Sequence, residues 1–185
     1  MANRKMMVAA LVAACAVPAS ASVVAIGSTN ARLCFEAADS PATPSLTAVH
    51  DCDEALLRDG LPGYETVATH VNRGILHLRR NNVDLAISDF DAAIALDPEQ
   101  PESYLNKGAA LMRRQDSAGA VQLFTVALER NTSRPAIAHY GRAVAQEAMG
   151  NINAAYQDFR RAQELAPNWR EPGLELARFR VVEAQ

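Results

Sequence analysis

The sequence predicts an all-α fold in which one helical hairpin is repeated along the chain. Three observations support this: a period of 34 to 35 residues, small residues that recur within it, and one phenylalanine that recurs in each copy. The first copy is the stretch 67–98, VATHVNRGILHLRRNNVDLAISDFDAAIALDP. A fixed period of this length indicates a solenoid whose units cannot bury their apolar faces alone.

The recurring residues are in register. They are Gly74 and Gly108; Ala86, Ala120 and Ala155; Phe90, Phe124 and Phe159; Ala93, Ala127 and Ala162; and Pro98 with Pro167. Glycine inside a helix costs roughly 1 kcal/mol relative to alanine, so its recurrence indicates close packing of backbones. We expect the phenylalanine rings to fill the space between successive hairpins.

The order of these residues resembles the tetratricopeptide repeat (TPR): a glycine in one helix, Ala-x-x-x-Phe-x-x-Ala in the next, then Asp-Pro. The resemblance covers about 67–169 and implies a right-handed α-solenoid of helix-turn-helix repeats with terminal capping helices. Within 64–169 it implies three repeats, at about 67–100, 101–134 and 136–169. The sequence departs from the pattern at Thr132, in place of a proline, and at Ala143, in place of a glycine.

Residues 1–21 are predicted to be a signal peptide and not part of the solenoid. Two basic residues precede a short apolar run that ends in Ala19-Ser20-Ala21, the small-x-small pattern of a cleavage site. This predicts export to the bacterial periplasm and a mature chain that begins at Ser22. One alternative is lipidation of Cys15, which lies in a lipobox-like stretch; another is retention of the run as an anchor. All three place the folded part outside the cytoplasm.

The charge balance gives no indication of a nucleic-acid partner. Loss of residues 1–21 removes Arg4 and Lys5 and no acidic residue, so 18 basic residues become 16 against 21 acidic ones. The mature net charge is then −5. The arginine pairs are dispersed along the chain and do not form one basic face. Nucleic acid is therefore not expected as a partner.

The segments on either side of the repeats are predicted to cap the solenoid. Residues 22–63 form a diverged N-terminal helical pair, and 170–185 form a C-terminal capping helix. Cys34 and Cys52 lie one on each helix of the N-terminal pair, and they are the only cysteines beyond Cys15. In an exported protein an even pair predicts a disulfide. The alternative is two buried free thiols.

The sequence contains no motif for catalysis or cofactor binding, so we expect neither an enzyme nor a cofactor. His70 and His77 are seven residues apart on one helical face, where the repeat places packing residues. His50 and Glu54 share another face, but two ligands do not make a zinc site. Metal binding is therefore not predicted.

The resemblance to TPR arrays implies that the first helix of each repeat lines a concave groove. Carried over by register, the groove residues are Asn72, Ile75, Arg79, Leu105, Asn106, Met112, Arg113, Tyr140 and Val144. Asn72 and Asn106 would form a ladder of exposed amides, each able to donate to and accept from a peptide backbone. The third repeat has Gly141 at this position. The alternative is that both asparagines only follow the common Asn-(Arg/Lys)-Gly form of the repeat.

The expected ligand is an extended segment of a protein or peptide. Arg79 and Arg113 would rim the groove and favour an acidic or carboxylate-bearing segment. Chaperone-binding TPR grooves place lysines around their asparagines, and these lysines are missing here, so a receptor for chaperone tails is not expected.

The predicted function is therefore protein or peptide binding by a scaffold or adaptor in the bacterial cell envelope. The alternative is a self-associating or lipid-tethered assembly factor that uses its convex face or its termini. A homo-oligomer fits this alternative. Membrane contact requires a retained signal or a lipidated Cys15.

Overall fold

The computed structural model of the protein describes residues 22–24 and 28–179. Within these residues the chain forms nine α-helices and no β-strand. The helices are α1 (Thr29–Asp39), α2 (Leu46–Arg58), α3 (Gly63–Arg79), α4 (Val83–Leu96), α5 (Pro101–Arg113), α6 (Ser117–Glu129), α7 (Pro135–Ala148), α8 (Ile152–Leu165) and α9 (Arg170–Leu176). The all-α prediction is confirmed for this part of the chain.

The predicted signal peptide at 1–21, with Cys15, lies outside the described residues. Among the helices of the described ranges, none combines the length and the apolar character that crossing a bilayer requires.

Consecutive helices pack as four hairpins: α1 with α2, α3 with α4, α5 with α6, and α7 with α8. The odd-numbered helices also contact one another in series, from α1 through α3 and α5 to α7. The even-numbered helices make their main contacts with the helices before and after them in the chain. The odd-numbered helices therefore form one continuous layer, which we call the inner layer. This arrangement confirms the predicted helical-repeat solenoid.

The three repeat hairpins each turn on a residue in the left-handed conformation. The backbone φ is 64° at Asn81, 62° at Gln115 and 79° at Gly150. After the second of these turns, the Asp116 carboxylate accepts a hydrogen bond from the backbone N–H of Gly119 at 2.9 Å. Asp116 thus caps α6 at its N-terminus.

The recurring glycines make room for the recurring phenylalanine rings. A Cβ atom on Gly74 would lie 2.5 Å from Cε1 of Phe90, and one on Gly108 would lie 2.9 Å from Cε1 of Phe124. Phe124 also meets the next hairpin, because a Cβ on Gly141 would lie 2.5 Å from its Cζ. The rings therefore pack within a hairpin as well as between hairpins, whereas the sequence predicts only the second contact.

The N-terminal hairpin is held by a disulfide. Cys34 on α1 and Cys52 on α2 have their Sγ atoms 2.09 Å apart, and both residues are fully buried. Each of the two helices contacts α3. The hairpin therefore covers the end of the first repeat.

The C-terminal helix is shorter than the sequence predicts. The expected helix spans 170–185, but α9 ends at Leu176, and 180–185 lie outside the described residues. Beyond α9, the ring of Phe179 packs 5.7 Å from that of Tyr156 and 5.9 Å from that of Phe159. Phe179 thus packs on α8 from a stretch, residues 177–179, that is not helical.

Candidate functional site

The amide of Asn72, in the middle of α3, binds the backbone of Val23. Its Nδ2 donates to the carbonyl oxygen of Val23 at 2.8 Å, and its Oδ1 accepts from the N–H of Val23 at 3.0 Å. The N–H and C=O groups of one residue point the same way only where the chain is extended, as in a strand pair. Asn72 is fully buried at this contact, with 0% of its surface exposed. We call these two hydrogen bonds the amide clamp.

The clamped residue belongs to Ser22–Val24, which we call the docked segment. Its Ser22 hydroxyl donates to Oδ1 of Asp39, the last residue of α1, at 2.8 Å. The Val23 side chain is half-buried and packs on the apolar cluster that includes Cys34 and Ala38. The docked segment therefore lies on both α1 and α3.

The second asparagine of the predicted ladder is oriented differently. Asn106 is buried, and its Nδ2 donates to the carbonyl oxygen of Glu102 on its own helix at 2.9 Å. The prediction of two exposed amides is therefore wrong for both residues. Asn72 is covered by a segment of its own chain, and Asn106 donates a hydrogen bond to a backbone carbonyl of its own helix, α5.

Arg79 does not rim the groove, contrary to the prediction. Its guanidinium donates to the carbonyl oxygens of Ala38 and Ser40, at 3.3 and 2.7 Å, and also to that of Ala42. The last carbonyls of an α-helix have no partner within the helix, and Arg79 supplies one at the end of α1. Arg113, its equivalent in the second repeat, is exposed.

Three of the predicted apolar groove residues belong to the core. Ile75 and Leu105 are members of buried apolar clusters. Tyr140 is also buried, with its ring centroid 5.5 Å from that of Phe159 and 4.8 Å from that of Trp169. The prediction of partner contacts at these positions is therefore wrong, because neighbouring helices occupy these faces.

Met112 and Val144 keep part of their surface accessible. Both are half-buried, and each packs against a core cluster. Together with Arg113, they are the predicted groove residues that present solvent-accessible side chains on α5 and α7.

Two ion clusters were not predicted from the sequence. One joins the two helices of the first repeat, and the other joins the two helices of the third repeat. In the first, Asp89 accepts from Arg73 Nη2 at 2.6 Å and lies 3.0 Å from Nδ1 of His70. In the third, Asp158 stands in the same relation to Arg142 and His139, at 2.8 and 2.7 Å. The sequence contains a signal for both clusters, because the histidine, the arginine and the aspartate of the first cluster each recur 69 positions later in the second.

These clusters shift the protonation of their carboxyls. Burial raises the pKa of Asp89, but hydrogen bonds from His70 and Arg73 outweigh burial, so the pKa lies below its ordinary value. Asp158 shows the same balance. Burial also lowers the pKa of His77, which lies near Asp89. The clusters link paired helices, and within the described residues no group of His, Cys, Asp and Glu side chains forms a metal site.

The departure at Thr132 also has a structural role. The Thr132 hydroxyl donates to Oε1 of Glu102 at 3.2 Å, and the backbone N–H and hydroxyl of Ser133 each donate to the same atom at 2.8 Å. The buried Glu102 carboxylate of α5 thus fixes the loop that leads into the third repeat. In the repeat pattern a proline stands at position 132 of this loop.

A run of helical hairpins whose inner layer binds an extended segment defines a repeat scaffold. The family model for the tetratricopeptide repeat matches twice, over residues 71–135 and 105–168, and together these matches span more than half of the 185 residues. The chain belongs to the tetratricopeptide repeat family.

Solved TPR structures resemble this fold. The first TPR of Spaghetti (RPAP3), bound to the HSP90 peptide SRMEEVD, is 26% identical with a TM-score of 0.57, over 60% of this chain and 87% of that one. The NMR structure of the first TPR domain of human RPAP3 gives the same four values. The crystal structure of MamA shares the fold at 19% identity, with a TM-score of 0.61 over 70% of this chain and 72% of that one. No curated protein sequence matches the chain.

Proposed function

We propose that this protein is a scaffold that binds a partner protein through an extended segment laid along the inner layer. The observation that carries the proposal is the amide clamp, in which Asn72 binds both backbone groups of Val23. Backbone hydrogen bonds supply affinity for an extended chain, and side-chain contacts supply selectivity. The peptide bound to the similar RPAP3 structure supports the same use of this class of scaffold.

The part of the inner layer built by α5 and α7 is the proposed surface for the partner. Met112 and Val144 offer apolar contact, and Arg113, the last residue of α5, offers an exposed guanidinium. A thioether side chain adapts to irregular apolar partners, and a guanidinium binds carboxylates and carbonyls. The partner segment is therefore expected to combine apolar residues with an acceptor group.

The proposal includes export to the bacterial cell envelope. The predicted signal at 1–21 motivates it, and a disulfide in the first hairpin is consistent with an oxidising compartment. N-terminal sequencing and intact mass of the protein from an export-competent host should identify Ser22 as the first residue. Retained Met1, or an acyl group on Cys15, would contradict cleavage after Ala21.

Photo-crosslinking tests the binding surface. The photo-reactive residue p-benzoylphenylalanine would replace Arg113 or Val144, and in a matched control it would replace Leu85 on α4, which is 54% exposed. Mapped adducts should join positions 113 and 144 to one linear segment of one partner, with no equivalent adduct from position 85. Adducts from position 85 to a second copy of this chain would instead favour the self-associating assembly factor.

A peptide with the mapped sequence then provides an affinity measurement. Val144→Glu should weaken its binding at least tenfold, a change of about 1.4 kcal/mol, because a carboxylate would replace an apolar contact. Leu85→Glu should leave the affinity unchanged. Equal affinities of both variants would show that the segment binds elsewhere.

A further inference from the structure

The docked segment is held by side chains of α1 and α3, in the manner of a ligand. Among the described residues, Ser22–Val24 form no backbone–backbone hydrogen bond with the rest of the chain. Their polar contacts are those from Ser22 to Asp39 and from Val23 to Asn72. Asn72 lies 49 residues from Val23 in the sequence, so this contact is tertiary and not a local turn.

The groups around the segment define which ligand the site accepts. The clamp binds one extended residue, and the side chain of that residue, Val23, is half-buried against an apolar cluster, so the site favours an apolar side chain such as valine there. Before it stands Ser22, whose hydroxyl is bound by the Asp39 carboxylate. A carboxylate at this point accepts hydrogen bonds and repels anions, so the site selects a hydroxyl or an amine over an acidic group.

The guanidinium of Arg79, which the sequence predicts at the rim of the groove, is already bound within the chain. Arg79 is bound to the carbonyl oxygens at the end of α1. The side-chain group that α1 places beside the docked segment is therefore the Asp39 carboxylate, an acceptor. This chemistry differs from that of the proposed surface on α5 and α7, where Arg113 is exposed.

We propose that the docked segment is a resident ligand of the Asn72 site, and that a partner segment enters this site only by displacing it. The partner would be an extended segment in which an apolar residue such as valine follows a hydroxyl- or amine-bearing residue. This inference rests on the proposed function, because it assumes that the inner layer binds extended segments. It adds that the docked segment occupies the part of the inner layer formed by α1 and α3, and it states the chemistry of the partner segment that would displace it.

A tethered ligand is a strong competitor. A short linker gives the attached segment an effective concentration in the millimolar range, so release of the segment should strengthen binding of the same sequence in trans at least tenfold. The effect is measurable with the chain's own sequence as the probe.

The probe is the synthetic heptapeptide SVVAIGS, the sequence of residues 22–28, with a fluorophore at its C-terminus. Val23→Pro in the full chain removes the N–H that the clamp binds while the residue stays apolar and compatible with an extended backbone. Val24→Pro is the matched control, because Val24 is 54% exposed. The peptide should bind Val23→Pro at least tenfold more tightly than it binds the wild type or Val24→Pro.

Three further measurements make the result decisive. Adding Asn72→Ala to Val23→Pro should abolish peptide binding, and the variant peptide SPVAIGS should fail to bind Val23→Pro. In the wild type, the Val23 amide should exchange with solvent at least tenfold more slowly than in the free peptide. Circular dichroism checks that the variants keep their helices. If Val23→Pro unfolds, Ser22→Ala is used instead. This variant removes the hydrogen bond from Ser22 to Asp39 and should also bind the peptide more tightly than the wild type does.

The inference is overturned if the Val23 amide exchanges as fast as in the free peptide. It is also overturned if Val23→Pro, or Ser22→Ala in its place, folds but does not bind the peptide. In either case the proposed function is judged separately, by the crosslinks from positions 113 and 144. Conversely, loss of those crosslinks with a protected Val23 amide would refute the partner surface and leave the resident segment in place.

Discussion

The first and second repeats carry the same asparagine and the same arginine at equivalent positions and use them differently. Asn72 and Asn106 stand 34 positions apart, yet Asn72 clamps the Val23 backbone, whereas Nδ2 of Asn106 donates to the Glu102 carbonyl of its own helix. The amide is the same in both repeats. The neighbouring structure differs, because the first repeat is covered by a segment from the N-terminal part of the chain.

The arginines show the same contrast. Arg79 holds the carbonyls that end α1, and Arg113 is exposed at the end of α5. The first repeat packs against α1, whose final carbonyls lack partners within their own helix, and the second packs between two complete repeats. The repeat pattern thus determines where a side chain stands, and the preceding hairpin determines what it binds.

The largest difference between the repeats should appear on removal of Asp89, whose equivalent in the second repeat is Leu123. Asp89→Ala leaves Arg73 with only a partly exposed aspartate of α2 as counter-charge, at 2.7 Å, and should lower the free energy of unfolding by roughly 3–4 kcal/mol. The control is Asp91→Ala on the same helix, whose side chain is 53% exposed and pairs with Lys107. The control should cost about 0–1 kcal/mol. Equal losses in urea denaturation would contradict a structural role for the cluster.

Loss of the disulfide should separate the two repeats further. Cys52→Ser should cost about 3 kcal/mol, because the bridge closes a loop of 18 residues. Hydrogen exchange should rise in α1 to α3 and change little in α5 and α6. A reducing agent should destabilise the wild type to the same extent and leave the variant unchanged. Two titratable thiols in the unfolded, non-reduced wild type would refute the bridge.

A smaller difference should follow when a methyl group is added at the recurring glycines. Gly74→Ala brings Cβ within 2.5 Å of the Phe90 ring, and Gly108→Ala within 2.9 Å of the Phe124 ring. Overpacking costs about 1–3 kcal/mol, and the higher helix propensity of alanine offsets part of it. Gly74→Ala should therefore destabilise more than Gly108→Ala in thermal melts. Gly63→Ala, where a Cβ meets nothing within 4 Å, is the control and should be neutral.

The smallest expected effect is a dependence on pH that arises from Asp89, where the second repeat has leucine. The pKa of Asp89 is lowered in the folded state, so its contribution to stability is present above the unfolded pKa and is lost as the pH falls through the folded pKa. The stability of the wild type should therefore decline below about pH 4. Asp89→Asn should lose part of this slope in urea melts at several pH values. Asp158 should account for the remainder, and an unchanged slope would contradict the assignment.

The sequence predicts the helices and their pairing because the interactions that set them are local and repeated. Every copy of the pattern contains the same small residues and the same aromatic ring, so the hairpins and the family follow from the period. The cap at Asp116 follows from short-range chemistry in the same way. The ion clusters at Asp89 and Asp158 were also accessible, through the offset of 69 residues.

The candidate site was harder to predict because it depends on contacts that do not repeat. Asn72 binds a residue 49 positions away, and Arg79 binds carbonyls about 40 positions away, both in a part of the chain that lacks the pattern. Register alone therefore marks Asn72 as a groove residue and does not show that the chain itself supplies an occupant. Burial of Ile75, Leu105 and Tyr140 likewise depends on how neighbouring helices meet.

The disulfide has a consequence for the order in which the protein matures. Cys34 belongs to the apolar cluster on which Val23 packs, and its bridge joins the two helices that precede the family match at 71–168. The repeats contain no cysteine, so thiol oxidation acts on them only through the packing of α1 and α2 against α3. We expect the repeats to form first, oxidation to join α1 and α2 next, and the docked segment to settle last.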